Sequence, residues 1–242
     1  MKRPRVTLLL ALPCFLLGLP ALAQESPRAW LDGLRRAAGA PAVHCDDLLS
    51  RTAGDWAAVL AAAGTLSHHG ADGTNALDRY RAHGGTEVRV GEIIGAGPDL
   101  AAVEMGWEAS TAHRGLIIKQ YWTDAGWGSV GRVWVVLFCQ KLVEDLDVVS
   151  GPAGVTVAGR FATTDAAAAR LIAGIEPVDP QDWNAAARSF SFRLPAAGLP
   201  GYLRLGYLRQ DGTFALTNVL TSLRGRESPG GKGRSAVPGA FP

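Results

Sequence analysis

Little in this chain points to nucleic acid, to a membrane span or to a dense disulfide framework. Its 24 basic residues stand against 22 acidic ones, and no clustered basic excess appears before the last stretch, which removes the phosphate-tracking surface that nucleic acid requires. No apolar run reaches the roughly 20 residues of a membrane-spanning helix. Histidine, cysteine and methionine are all missing after Lys141, so the later part of the chain offers no constellation of ligating side chains.

The first residues differ from all the rest. Lys2, Arg3 and Arg5 precede an apolar stretch from Val6 to Leu19, and Ala21-Leu22-Ala23 supplies the small residues of a cleavage site. Residues 1–23 are therefore expected to be a signal peptide cut before Gln24, leaving the mature chain secreted or periplasmic. Pro13 beside Cys14 argues against lipidation of that cysteine. Cleavage removes three basic groups and leaves 21 against 22, a nearly neutral chain. It also leaves two cysteines, Cys45 and Cys139. A disulfide between them is the simplest expectation in an oxidising compartment, and two buried free thiols are the alternative.

Periodicity divides the mature chain in two. From Pro27 to about Gly64 apolar residues recur at threes and fours, as in Trp30, Leu31 and Leu34 and then Leu49, Thr52, Trp56, Val59 and Leu60. This predicts a helical layer, with Ser26 and Pro27 at its start and Gly39 and Gly64 as stops. Val88-Arg89-Val90 begins or precedes a strand, Asp99 caps a helix reaching Trp107, and Val133 to Phe138 is apolar on both faces, as in a sheet covered by helices on either side. After Leu146, short strand-like runs such as Val155-Thr156-Val157, Ser189 to Leu194 and Phe214 to Leu220 alternate with Gly and Pro. Arg209 to Thr213 is the clearest hairpin turn, and Ala166 to Ala173 a candidate short helix. The expected fold class is α+β: an α-β-α sandwich over residues 24–146, a small all-β, sandwich-like domain over 147–223, and a disordered tail over 224–242.

Three polar marks at wide spacing interrupt the first part: Ser67-His68-His69-Gly70, Gly91-Glu92, and the run from Trp107 through Ser110 to His113-Arg114. In this order, with Asp72-Gly73, Arg79, Ile93-Ile94-Gly95 and Gly126-Trp127-Gly128, they resemble the bacterial, SCP-like branch of the CAP superfamily of cysteine-rich secretory, antigen-five and pathogenesis-related proteins. The likeness covers roughly Trp30 to Gln140. It implies an α-β-α sandwich with a cleft lined by His68, Glu92 and His113, in positions where several members bind a divalent metal. Other members take sterols or fatty acids in neighbouring apolar grooves, and many have no established enzymatic activity. The chain departs from the pattern at Ile93 and Leu116, where the family carries asparagine. Ser110 stands where the eukaryotic branch has a second glutamate, so it joins the cleft-lining set and leaves Glu108 as a differently directed carboxylate.

Two imidazoles and one carboxylate form a serviceable set for a divalent cation, zinc foremost, and the same groups without metal make a hydrogen-bonded His–Glu pair. Three functions are open: extracellular binding of a divalent cation or a small or lipidic ligand, metal-dependent hydrolysis of peptide or envelope polymer with Glu92 as ligand or general base, and structural adhesion to an envelope component. Ser67 as a nucleophile lacks a Gly-x-Ser-x-Gly elbow and is expected to cap local backbone. Arg79 is expected in a structural ion pair or a backbone contact, Trp107, Trp122, Trp127 and Trp134 in the core, and His44, His69 and His83 at the surface.

Overall fold

Helical periodicity before residue 64 and strand periodicity after residue 88 resolve into helices laid on both faces of one sheet. The fold is that of a computed structural model, which describes residues 26–221 of the chain. The expected signal peptide, residues 1–23, and the expected tail, residues 224–242, lie outside those residues. The first part comprises α1 (Arg28–Ala37), β1 (His44–Cys45), α2 (Asp47–Ala63), α3 (Ala76–Ala82), β2 (Val90–Ala96), α4 (Leu100–Ala109), α5 (Thr111–Ile117), β3 (Asp124–Val130) and β4 (Val133–Cys139). The strands form one sheet in the order β1-β3-β4-β2.

Strand β4 explains the layering, because successive side chains of a strand point to opposite faces. Trp134, Val136 and Phe138 enter the core shared with α1, α4 and α5, while Val135, Leu137 and Cys139 enter the one shared with α2 and α3. Helices α2, α3, α4 and α5 start where a side chain can serve the free N–H groups of the first turn. Asp46 accepts from Leu49 N, Asn75 and Asp78 make a reciprocal capping box, and Asp99 accepts from Ala102 N. Gly64, at φ 66°, ends α2 in the left-handed region expected of a glycine stop. The Gly126-Trp127-Gly128 motif has a packing cause. A Cβ at Gly126 would collide with the backbone of Ser50, and one at Gly128 with that of Gly54, so the two glycines let α2 lie directly on β3.

The second part is a sandwich of two four-stranded sheets. One holds β5 (Val143–Gly151), β6 (Gly154–Phe161), β10 (Ser189–Pro195) and β9 (Asp182–Asn184) in that order. The other holds β12 (Phe214–Leu220), β11 (Leu203–Leu208), β7 (Ala168–Ala173) and β8 (Glu176–Val178). Phe161, Phe190, Phe192, Leu171 and Leu205 fill the space between them. Strand β5 opens at Val143, ahead of the boundary read at residue 146, because Val143 is buried in this second core. The candidate helix at Ala166 to Ala173 is instead β7. Ala169 and Leu171 alternate into the core and pair with β11, so cross-strand packing overrides the helix preference of alanine.

The expected Cys45–Cys139 disulfide is not formed; both thiols are free, Cys45 exposed and Cys139 buried. Register is the reason. Cys45 pairs with Ala125 and therefore shares a face with Phe138, whereas Cys139 pairs with Asp124 and faces α2. The two sulfurs project from opposite sides of the sheet, and Arg28 Nη1 lies 2.6 Å from Cys45 Sγ.

Candidate functional site

Strand β2 is an outer strand of the first sheet, so the chain around it can form a cleft along a free edge. Ile93 points into the core beneath α4 and is fully buried, which explains why an apolar residue follows Glu92. Glu92 points the other way, toward the segment between α2 and α3.

The Glu92 side chain is only 4 % exposed, and its two oxygens are divided between two partners. Oε1 lies 2.8 Å from His68 Nδ1, and Oε2 accepts from Arg79 Nη2 at 2.6 Å. Pairing of this kind lets a carboxylate remain ionised away from water. Arg79 is itself held: its guanidinium sits 3.7 Å from the centre of the Trp56 ring, and Nη1 donates to Thr74 O at 3.1 Å. A carboxylate can only accept, so Nδ1 of His68 carries the shared proton and Nε2 is left for a ligand. The His68 side chain is 55 % exposed.

His113 comes from α5, whose two ends are both fixed. Ser110 caps the start, accepting from His113 N at 3.5 Å. At the other end the fully buried Arg35 donates to Ile117 O and Trp122 O. Burial lowers the His113 pKa, and the neighbouring His68 lowers it further, so the neutral ring is favoured. Its Nδ1 is buried without a hydrogen-bond partner among the described residues.

Of the three residues singled out, the structure joins His68 to Glu92 directly and brings His113 within electrostatic reach of His68. Among the described residues, no group of three His, Cys, Asp or Glu side chains is placed to hold a metal ion. Glu92 has no oxygen left without a partner, and an arginine occupies the one that His68 does not. The Ser67 hydroxyl is spent locally, donating to His69 O at 2.7 Å and accepting from His69 N at 3.0 Å, so it has no base and serves as a backbone cap. Glu108 turns to Trp30 Nε1 instead of the cleft. The clamp formed by Arg79 was legible only as an ion pair or backbone contact without a partner; the partner is Glu92.

Residues 31–133 match the family model described as cysteine-rich secretory protein family, CAP. Solved structures of low identity are similar over 47 % of this chain. An extracellular protein with an SCP domain from Bacillus anthracis has 21 % identity and a TM-score of 0.46, with 39 % of that chain covered. An outer surface protein of Borrelia burgdorferi has 23 % identity and a TM-score of 0.44, with 88 % covered. A cysteine-rich secretory protein of Staphylococcus aureus has 15 % identity and a TM-score of 0.41, with 36 % covered. No curated protein matches the chain. No helix among the described residues is long and apolar enough to cross a membrane. The stretch that is similar to the CAP family model, residues 31–133, covers most of this helix-covered β1-β3-β4-β2 sheet and holds His68 and Glu92 paired at its edge.

Proposed function

We propose that this is an exported, non-catalytic binding protein whose CAP domain takes a small ligand or a divalent cation through the imidazoles of His68 and His113. The observation that carries this reading is the 2.8 Å contact between His68 Nδ1 and Glu92 Oε1. It fixes the tautomer and the ring orientation, and it leaves Nε2 as an acceptor beside a second, predominantly neutral imidazole. Glu92 is then the orienting carboxylate and not a third ligand. Two imidazoles fall short of the three protein ligands of a catalytic zinc site, so the donor set does not fit a hydrolytic metal centre. It fits labile cation capture or hydrogen bonding to a ligand that carries a donor. The leader-like pattern of residues 1–23 supports export.

Zinc titration of the mature chain by calorimetry tests the cation arm. One saturable site is expected, abolished by His68→Ala and by His113→Ala and weakened about 10- to 100-fold by Glu92→Gln, the usual effect of losing an orienting partner. Binding that survives both histidine substitutions removes the imidazole pair as the site.

A further inference from the structure

A hollow lies where the CAP domain meets the β-sandwich, and it shares no residue with the His68–Glu92–Arg79 cluster. Its volume is about 700 Å³, with Tyr80, Glu87, Asp124 and Lys141 on the CAP side and Val143, Leu146 and Val148 on the sandwich side. That volume lies within the roughly 300–1,000 Å³ of small-molecule sites, which favour domain interfaces. The junction is built and not incidental: residues 86–88 add to the edge of β12, with Val219 N donating to Thr86 O at 2.7 Å and Val88 N to Thr217 O at 3.3 Å. Asn218 Nδ2 also donates to Thr86 Oγ1 at 2.9 Å.

The charges around this hollow do not balance. Asp46, Glu87, Asp124, Glu144 and Asp145 line it with a single lysine, Lys141. Lys141 Nζ serves Asp46 at 2.6 Å and Asp124 at 3.4 Å, and Arg160 pairs with Glu144. Glu87 is left with neutral donors only. It is 8 % exposed, its Oε2 accepts from the Tyr80 hydroxyl at 2.6 Å and from Thr86 N at 3.2 Å, and among the described residues no cation meets either oxygen. A buried carboxylate without a countercharge is costly unless a cation joins it. Neighbouring groups feel the same negative field. Burial and then Glu87 push the Tyr80 phenol up, and burial and then Glu87 and Asp124 push the Cys139 thiol up.

We infer that this interdomain cavity binds a small organic monocation, an ammonium group on an apolar stem, with the charge at Glu87 and Asp124 and the stem against Val143, Leu146 and Val148. Titration of the mature chain with n-hexylammonium, with 1-hexanol as the uncharged control, tests it. One saturable site for the ammonium and none for the alcohol are expected. Glu87→Gln keeps an acceptor for Tyr80 and is expected to weaken binding at least tenfold, whereas His68→Ala leaves it unchanged, which separates this site from the imidazole cleft. Should Glu87→Gln fail to fold, Asp124→Asn takes its place with the same expected loss. Equal binding of alcohol and ammonium, no saturable binding, or wild-type affinity in a folded charge variant overturns the inference.

Discussion

Replacing Arg79 by methionine is the most demanding perturbation of the candidate site. The Arg79 side chain is 12 % exposed and that of Glu92 is 4 % exposed, so the substitution strands a carboxylate away from water with His68 as its remaining partner. Breaking a buried pair from one side costs about 3–5 kcal/mol, and losing the stack on Trp56 adds up to about 2 kcal/mol. At roughly 2–4 °C per kcal/mol for a chain of this size, the pair alone corresponds to a fall in Tm of about 6–20 °C. Calorimetric melts of Arg79→Met, Glu92→Gln and the double variant close a thermodynamic cycle. The double variant is expected to be more stable than Arg79→Met, because it no longer buries an unpaired charge. A loss below about 1 kcal/mol for Arg79→Met, the range of an exposed pair, together with additive effects in the cycle, would refute the claim that a buried Arg–Glu clamp organises the site.

Two further outcomes follow from groups already described. His113 has a lowered pKa in the folded state, first from burial and then from His68, so the unfolded chain takes up a proton that the folded chain resists. Stability from this group is complete above the ordinary value of about 6.5 and falls as the pH drops below it toward the folded-state value. Urea melts in chelator-treated buffer should show that slope in the wild type and less of it in His113→Gln; identical slopes would contradict the burial argument. For the cysteines, thiol labelling of the native protein should modify Cys45 readily and Cys139 only upon unfolding, and a reductant should leave the melting temperature unchanged. A reductant-sensitive Tm would reinstate the bridge.

Local signals carried much of the architecture. Asp99 as a cap, Gly64 as a stop, the turn from Arg209 to Thr213 and the two-faced apolar strand ending at Phe138 all depend on neighbours within a few residues, and each stands where the sequence places it. The α-β-α order and the CAP resemblance were legible for the same reason, since spacing along the chain is what periodicity and motif order record. Alanines 166–169 misled because their helix preference is weak beside the pairing of β7 with β11.

The chain by itself determined most of the segments that become helices and strands, the run from Ala168 to Ala173 excepted, and set His68, Glu92 and His113 apart as polar marks between apolar segments. Only the tertiary structure decided what those residues touch. Register sent Cys45 and Cys139 to opposite faces, packing set Arg79 on the oxygen of Glu92 that a metal would need, and the pairing of residues 86–88 with β12 buried Glu87 beside the second domain. Each of these joins segments far apart in sequence, and such contacts are fixed by how sheets and helices stack, information that no short window of residues contains.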